Sequence, residues 1–274
     1  MDPEFTIPGL VIESVLGEGS NGRVYLAQHQ ILQKKVAVKV LHAAKGADES
    51  ARLRFQREAQ FLSKIEHPNI VRVHAFGLVD DAVPYIVMDY VEGQNLESLV
   101  QENGPLSVQQ SCDLIEKIAD ALHTAHQLGI THRDIKPGNI ILANGDCPIL
   151  LDFGVAKFST ASSEQGITKT AQIVGTPAYL SPEQSAGKPG TAKSDMYALS
   201  CVLFFLLSGK PLYSGQSDLE IMLKHATELP DFAGLKIGQP LKQFLAKGMA
   251  KNPDDRFADM KEFAEELHKL DREI

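Results

Sequence analysis

The chain has 274 residues, of which 43% are hydrophobic and 23% are charged, and its formal net charge is −8. This composition is typical of a globular protein long enough for one large domain or for two lobes with separate cores. The acidic balance argues against a general nucleic-acid-binding protein, although it leaves room for a local basic patch that binds phosphate.

Cysteine usage and hydropathy narrow the class of protein further. Cys112, Cys147 and Cys201 are odd in number and lack the spacing of metal ligands, so we interpret them as small apolar side chains in a reducing, cytoplasmic setting. The longest apolar run, Met196–Leu207, is shorter than the ~18–20 residues that a membrane span needs, and it predicts a buried helix. We expect no membrane segment in this chain, and we interpret residues 1–9, which begin with a vector-like "MDPEF", as an N-terminal extension.

The first part of the chain alternates with the period of β-strands. In "VAVKVL" the three valines share one face of the strand, while Ala37 and Lys39 share the other. The segment "DESARLRFQREAQFLSKI" then changes to helical spacing. Two further strand-like segments follow, "IVRVHAFGLV" and "PYIVMDYV".

Beyond Val91 the chain becomes mainly helical. "EGQNLESLV" and "SVQQSCDLIEKIADALHTAHQLGI" predict two helices, the second ending near Gly129. Short strands and loops follow, and then a polar stretch, "SSEQGITKTAQIVGTPAYLSPEQ", whose length suggests a functional loop. From Lys193 onward the pattern is helical again. The sequence therefore predicts a small strand-rich lobe, a junction near Asp89–Gly93 and a larger helical lobe.

The segment "LGEGSNGRVY" spaces Gly17, Gly19 and Gly22 as G-x-G-x-x-G. A dinucleotide-binding fold would need a helix directly after this motif, whereas "RVYLAQ" predicts a strand. The loop should therefore join two antiparallel strands, and its glycines would let backbone amides approach a polyphosphate without side-chain obstruction. By itself the pattern is weak, because glycine clusters are common in turns.

Lys39 shares a strand face with Ala37, which is small enough to admit a flat ring. Taken alone, Lys39 is best interpreted as a solvated strand lysine. Its sequence neighbours are apolar, however, so its ammonium would need a partner. Glu58 in the following helix is a candidate, although by itself it is an ordinary surface residue that the sequence marks out no more than Arg57 or Glu49.

Two carboxylates, Asp134 and Asp152, stand at the edges of apolar runs in "THRDIKPGNIILANGDCPILLDFGVAKF". They could simply cap backbone amides in turns, which is common. In a phosphoryl transfer, Asp134 would instead accept the proton of the attacking hydroxyl, and Lys136 would neutralise charge on the transferred group. Asn139 and Asp152 offer hard oxygen ligands that suit Mg²⁺ carried in with nucleotide phosphates, and Gly154 would allow the backbone to direct Asp152 inward.

Taken in order, these motifs resemble the catalytic domain of eukaryotic-type (Hanks-type) serine/threonine protein kinases, most of all the bacterial members. The resemblance extends from about Phe5 to Leu270. It implies an α+β, bilobal protein kinase-like fold over residues 10–270. An antiparallel sheet with helix C would form the N-lobe (10–88), followed by a hinge (89–93) and a mostly helical C-lobe (94–270). The matching motifs are the glycine-rich loop, "VAVK", the helix-C glutamate Glu58, "HRDIKPGN", "DFG" and "SPE".

The resemblance assigns roles residue by residue. It implies that Lys39 holds the α- and β-phosphates and pairs with Glu58, that Asp134 is the catalytic base, and that Lys136 contacts the γ-phosphate. Asn139 would complete the catalytic set and, together with Asp152, bind Mg²⁺, for which Mn²⁺ can substitute. The implied ATP-binding residues are Leu16, Gly17, Glu18, Gly19, Gly22, Val24, Ala37, Lys39, Glu58, Met88 as gatekeeper, Asp89, Val91 and Ile141.

A regulatory role is implied for Arg133. Kinases with an arginine before the catalytic aspartate commonly order the activation loop through a phosphate bound to that arginine. We expect autophosphorylation at one or both of Thr168 and Thr170, and we expect Thr176 to belong to the substrate platform. Competing hydroxyls in the same loop are Ser159, Thr160, Ser162 and Ser163.

Structural roles are implied for Asp195 and Arg256. Asp195 would hold the backbone of the catalytic loop from a buried helix, and Arg256 would form a buried ion pair with Glu183. Ser181 and Ser200 depart from the usual family residues without touching the chemistry.

The sequence therefore predicts an ATP-dependent serine/threonine protein kinase with activation-loop autophosphorylation. Two alternatives share parts of the motif set: a pseudokinase that binds or scaffolds, and a small-molecule phosphotransferase of related fold. The expected partners are protein substrates, and a homodimer through the N-lobe, as bacterial relatives often form, but no nucleic acid. The resemblance also implies a cytoplasmic catalytic domain, in a group whose full-length members are often tethered to a membrane.

Overall fold

A computed structural model describes residues 5–19, 22–42, 62–79, 83–153 and 177–270. Within these ranges the chain divides into two compact units. The first unit contains the described residues up to His67 together with Val71–Val91. The second contains Pro68–Ile70, Glu92–Phe153 and the described residues from Pro177 onward.

The first unit is a five-stranded antiparallel sheet with strand order β1-β2-β3-β5-β4. The strands are β1 (Leu10–Gly19), β2 (Gly22–His29), β3 (Lys34–Leu41), β4 (Val73–Val79) and β5 (Val83–Asp89). The strands predicted from alternation are confirmed. Most of the predicted helix that carries Glu58 lies outside the described residues, but Leu62 and Ile65 at its end are buried.

The alternating valines of β3 form the core of this sheet. Val36 and Val38 are fully buried, and they pack with Tyr25 and Ala27 of the neighbouring strand β2. Phe5 closes one end of this core, with its ring edge-on to Tyr25 at a centroid distance of 5.3 Å. The period of two therefore predicts the buried face correctly, because successive side chains of a strand point to opposite sides.

The second unit contains seven α-helices in its described residues: α1 (Leu96–Asn103), α2 (Val108–Gln127), α3 (Pro182–Ser185), α4 (Ala192–Ser208), α5 (Asp218–Thr227), α6 (Gln239–Gly248) and α7 (Met260–His268). A small antiparallel sheet of order β6-β7-β8 accompanies them. Its strands are β6 (Gln94–Asn95), β7 (Ile140–Ala143) and β8 (Cys147–Leu150). Both the strand-rich and the helical parts of the predicted fold are thus present.

Capping residues set the ends of the first two helices. Ser107 and Gln110 form a reciprocal capping box at the start of α2, and Gly129 follows its end at φ 75°. The helix predicted for "EGQNLESLV" begins later than expected. Its first four residues include β6, which pairs with β7, and the side chain of Asn95 then caps α1 by accepting from the backbone N–H of Ser98.

The predicted buried helix over Met196–Leu207 is confirmed as part of α4, which is buried along nearly its whole length. None of the helices in the described ranges is long and apolar enough to cross a membrane. Cys112 and Cys201 are fully buried in this unit, as expected of small core side chains. Cys147 is only half-buried, so that interpretation fits two of the three cysteines.

Candidate active site

One buried carboxylate fixes the backbone of the catalytic loop, Thr131–Asn139. Asp195 on α4 accepts hydrogen bonds from the backbone N–H groups of His132 and Arg133, each at 2.8 Å. His126 Nε2 lies 2.9 Å from the same carboxylate, whose side chain is 1% exposed. Arg133 adopts a left-handed φ of 64°, which a residue with a side chain rarely takes without external support. The predicted structural role of Asp195 is confirmed.

The ring of His132 ties this loop to the segment that follows β8. The backbone N–H of Asp134 donates to His132 Nδ1 at 3.2 Å, so Nε2 carries the proton and donates to the Leu151 carbonyl at 2.7 Å. The ring also lies against Phe153, with 4.6 Å between centroids. Burial lowers the pKa of His132, which keeps the imidazole neutral and suits this pair of bonds.

Asp134, Lys136 and Asn139 form a compact polar group at the surface of the loop. Lys136 Nζ lies 3.2 Å from Asp134 Oδ2, and Asn139 Nδ2 donates to the same oxygen at 3.0 Å. A second bond from Asn139 Nδ2, to the Asp134 carbonyl at 2.8 Å, fixes the amide plane. The Asp134 side chain is 14% exposed, so it meets solvent on one side while protein donors hold the other.

Asp152 reaches the same region through the β7–β8 hairpin. Ile140 pairs with Leu150, and the backbone N–H of Leu151 donates to the Asn139 carbonyl at 2.8 Å. The half-buried Asp152 follows with a left-handed φ of 56°. Gly154, which the sequence pattern credits with directing this carboxylate, lies outside the described residues. The unusual backbone geometry that the structure does describe belongs to Asp152 itself.

A pocket opens between the catalytic loop and the 3-10 helix Pro177–Tyr179. Arg133, Asp134 and Lys136 line one side of this pocket, and Tyr179 lies on the other. Burial raises the pKa of the Tyr179 phenol, which therefore stays neutral. Asp134 therefore lines a small polar pocket together with Arg133 and Lys136.

The "SPE" segment is anchored by a buried ion pair. Arg256 Nη1 donates to Glu183 Oε1 and Arg256 Nη2 donates to Glu183 Oε2, each at 2.9 Å. Ser194 Oγ also donates to Oε1, at 2.6 Å. Burial alone would raise the pKa of Glu183, but the hydrogen bonds from Arg256 and Ser194 lower it to about 2. The predicted buried pair is confirmed. Ser181, the departure from the family pattern, caps α3 with its hydroxyl.

The first unit holds the glycine pattern as the predicted β-hairpin. Glu18 pairs with Arg23, and Gly19 pairs with Gly22, across β1 and β2. A Cβ added at Gly17 or Gly19 would meet no atom within 4 Å, so packing does not require glycine at those two positions. At Gly22 an added Cβ would come within 2.3 Å of the Val40 carbonyl oxygen, so this position does require glycine.

Four of the expected nucleotide-binding residues share the sheet face opposite the valine core. Val24 pairs directly with Lys39, and Ala37 pairs directly with Met88. Direct partners in an antiparallel ladder lie on the same face, and Ala37 and Lys39 are two residues apart on β3. Ala37 and Met88 are buried, while Lys39 is half-buried.

The remaining predicted residues are distributed over both units. Leu16 lies on β1, Asp89 ends β5 and Val91 follows it, whereas Ile141 lies on β7 in the second unit. Several predicted residues lie outside the described ranges, namely Glu58, Thr168, Thr170 and Thr176.

Sequence reasoning missed His126 and Gln184. Gln184 Oε1 accepts from Ser181 at the start of α3, and its Nε2 lies 3.5 Å from the Arg133 carbonyl. His126 lies six positions before His132 on a helix whose buried residues, apart from Ser111, are apolar. A polar residue on the last turn of that helix was the signal that could have revealed it.

Comparison with known proteins identifies relatives over most of the chain. A family model for the protein kinase domain matches residues 10–269. The serine/threonine-protein kinase PknB of Mycolicibacterium smegmatis is 38% identical over 92% of this chain and 41% of its own length. A probable serine/threonine-protein kinase of Corynebacterium efficiens is 38% identical over 94% of this chain and 40% of its own length. The chain thus spans about two fifths of the length of these curated relatives.

The fold also matches a solved structure. The crystal structure of the PknI kinase domain from Mycobacterium tuberculosis aligns with a TM-score of 0.74 at 30% sequence identity. The alignment covers 96% of this chain and 95% of that chain.

Proposed function

The chain belongs to the protein kinase domain family, and on that premise we propose that it transfers the γ-phosphoryl group of ATP to serine and threonine hydroxyls of proteins. One observation carries the proposal. Lys136 and Asn139 each lie within hydrogen-bond distance of Asp134, on a loop that buried side chains hold in place, and Asp134 and Lys136 line a small pocket. Phosphoryl transfer needs little covalent chemistry from a protein but depends on such positioning and charge.

Asp134 is the proposed base. Lys136 and Asn139 bind its Oδ2, which leaves the carboxylate one orientation relative to the pocket. A substrate hydroxyl that enters there donates its hydrogen bond to the carboxylate and is directed toward phosphorus. The ammonium of Lys136 offsets negative charge on the transferred group, and no side-chain movement is needed at the moment of transfer.

Asn139 and Asp152 are the proposed metal ligands. Their donor atoms are hard oxygens, and both residues are fixed by the same β7–β8 hairpin, so the residues present fit a magnesium ion. Within the described residues no cluster of three or more histidine, cysteine or acidic side chains could hold a metal by itself. The proposed ion would be held by these two residues together with the phosphates of the nucleotide. Bound Mg²⁺, or Mn²⁺ in its place, supplies positive charge to those phosphates.

The sheet face of the first unit is the proposed adenine and phosphate surface. Ala37 and Met88 are small or unbranched and buried, which suits a flat purine ring, and Lys39 on the same face suits the α- and β-phosphates. The open positions at Gly17 and Gly19 suit backbone contacts to the phosphates. Glu58, Val91 and Ile141 complete the proposed set, together with Leu16, Glu18, Gly22, Val24 and Asp89.

Regulation and assembly belong to the same proposal. Arg133 lines the pocket beside Asp134, which supports a role in binding a phosphate on Thr168 or Thr170, with Thr176 on the substrate platform. A cytoplasmic catalytic domain that dimerises through the N-lobe is proposed from the family resemblance.

Transfer from γ-labelled ATP to a generic protein substrate tests the function. Wild-type protein should label the substrate and itself, while Asp134→Asn and Asp152→Asn should lose at least about 100-fold in rate, because each removes a group that acts in the transition state. Asp146→Asn is the matched control, since Asp146 lies exposed in the β7–β8 turn.

Four results would contradict parts of the proposal. No transfer by well-folded wild-type protein that binds nucleotide would favour a pseudokinase. Transfer to small hydroxylated molecules alone would favour a small-molecule phosphotransferase. Undiminished transfer by Asp152→Asn would remove the metal assignment. Phosphopeptide mapping after incubation with Mg-ATP identifies the modified loop residues, and modification of neither Thr168 nor Thr170 would contradict the regulatory assignment.

A further inference from the structure

The side chain of Asp89, the last residue of β5, is held by residues from both neighbouring strands. His74 Nε2 on β4 lies 2.6 Å from Asp89 Oδ1, and Lys34 Nζ on β3 lies 3.5 Å from the same oxygen. The two donors are themselves adjacent, with 3.1 Å between Lys34 Nζ and His74 Nε2. The backbone N–H of Asp89 donates to the Arg72 carbonyl at 3.0 Å. Both the side chain and the backbone of Asp89 are therefore fixed within the first unit.

A β-bulge coincides with His74. Val73 pairs with Met88 and Ala75 pairs with Val87, so His74 is the extra residue of β4 in that ladder. A bulge interrupts the alternation of a strand and redirects the side chain of the residue it adds. Here the redirected side chain reaches the carboxylate at the end of the adjacent strand. Regular pairing of β4 with β5 would not place an additional residue at this point.

The chemistry of the imidazole decides how the three groups share their protons. Nε2 donates to Asp89 only when it carries a hydrogen, and it then has no lone pair with which to accept from Lys34. The Lys34 ammonium has no acceptor capacity, so it too is directed to the carboxylate. Two donors therefore converge on a single carboxylate oxygen, and charge makes both bonds stronger than neutral ones.

The position of Asp89 gives this cluster a consequence. Its pairing with Val36 is the last pair between β3 and β5, and Tyr90 and Val91 belong to no strand. We propose that His74 and Lys34 are positioning residues for nucleotide binding: by holding Asp89 they fix the path of segment 89–91. This inference rests on the proposed function, which assigns that segment to adenine recognition. Neither residue need touch the nucleotide.

Nucleotide affinity measured on single variants tests the inference. His74→Leu and Lys34→Met should each raise the Kd of Mg-ATP and the KM for ATP by about 3- to 10-fold. Each change removes one of the two partly exposed contacts to the Asp89 carboxylate. The kcat and the KM for protein substrate should stay within about twofold. His74→Gln keeps a donor at the end of its side chain and should restore most of the affinity.

Arg72→Met is the matched control. Arg72 precedes His74 by two residues, and its exposed side chain pairs with Glu66. The change removes a nearby cation that has no side-chain bond to Asp89, and it keeps the backbone carbonyl that accepts from the Asp89 N–H. Its affinity for Mg-ATP should equal that of the wild type. Because His74 and Lys34 act through one carboxylate, the effects of the two substitutions should not add.

Several outcomes would overturn the inference. Folded His74→Leu and Lys34→Met variants that bind Mg-ATP like the wild type would remove it and leave the proposed function intact. A lower melting temperature and lower kcat with unchanged KM for ATP would show that the cluster only stabilises the sheet. Wild-type protein that neither binds nucleotide nor transfers phosphate would overturn the proposed function and this inference together. If His74→Leu does not fold, Lys34→Met decides the question alone.

Discussion

The catalytic loop and the glycine hairpin are both predicted to handle phosphate, yet they are built in opposite ways. Asp195, which is almost completely buried, fixes the backbone of the catalytic loop with two bonds of 2.8 Å. The glycine hairpin is held across its strands by the exposed pair of Glu18 and Arg23, and a Cβ added at Gly17 or Gly19 would meet no atom within 4 Å. Preorganised groups serve a chemical step, whereas an open hairpin can adjust to a ligand. The difference fits the roles proposed for them, with phosphoryl transfer at the loop and ATP binding at the hairpin.

Loss of the buried ion pair between Glu183 and Arg256 should destabilise the protein most. Arg256→Ala should destabilise the protein by about 3–5 kcal/mol, because Glu183 is then left charged, buried and without its bidentate partner. Chemical denaturation measures this effect. The control is a double variant, Glu183→Leu with Arg256→Met. It should recover part of the stability lost in Arg256→Ala, because it leaves no buried charge without a partner. Equal destabilisation by both would contradict the argument.

The same pair makes stability depend on pH. The pKa of Glu183 is lowered to about 2 in the folded protein, from 4.5 without its partners. Its contribution to stability is therefore complete above pH ~4.5 and is lost as the pH falls from there toward about 2. Glu183→Gln should abolish that part of the pH dependence, which denaturation at a series of pH values measures. An unchanged slope between these limits would show that other carboxylates dominate.

Asp195→Asn should have the next largest effect, and it acts on catalysis more than on folding. An amide presents one acceptor oxygen where the carboxylate presents two, so His132 or Arg133 loses its backbone partner and the left-handed turn loses support. We expect kcat to fall at least about 100-fold, because small misplacements of catalytic groups are this costly. Steady-state kinetics and the melting temperature of the Asp195→Asn variant check this prediction. A lower melting temperature with unchanged kcat would contradict it.

Sequence patterns predicted the elements that repeat or carry motifs. The alternation in β3 and the apolar run of α4 gave the right buried faces, since periodicity reflects which side meets water. The proposed site residues were recognised from their order along the chain. The contact of His74 with Asp89 was not predictable, because it depends on a β-bulge at His74 that shifts the pairing of β4 with β5 by one residue. Nor was the start of α1, because β6 pairs with a strand far along the chain.

Two glycines of the hairpin, Gly19 and Gly22, differ in whether packing requires them. Gly22→Ala should destabilise the protein by about 1–3 kcal/mol, because its methyl group would collide with the Val40 carbonyl in the neighbouring strand. Gly19→Ala meets open space and should leave stability nearly unchanged while raising the KM for ATP, since it narrows access to the backbone amides. Thermal unfolding and ATP kinetics on both variants separate the two roles. Equal loss of stability in both would show that the hairpin is packed at each glycine.

The smallest effect belongs to the ion pair of the hairpin. Arg23 Nη2 lies 2.6 Å from Glu18 Oε2, but both side chains are about half exposed, so water and salt compete with the contact. Arg23→Met should leave the unfolding midpoint unchanged within error at physiological ionic strength, even though the pair raises the pKa of Arg23. A clear shift in the midpoint that persists in 1 M salt would mean that the hairpin, like the catalytic loop, is held rigid in advance, and the contrast between the two regions would disappear.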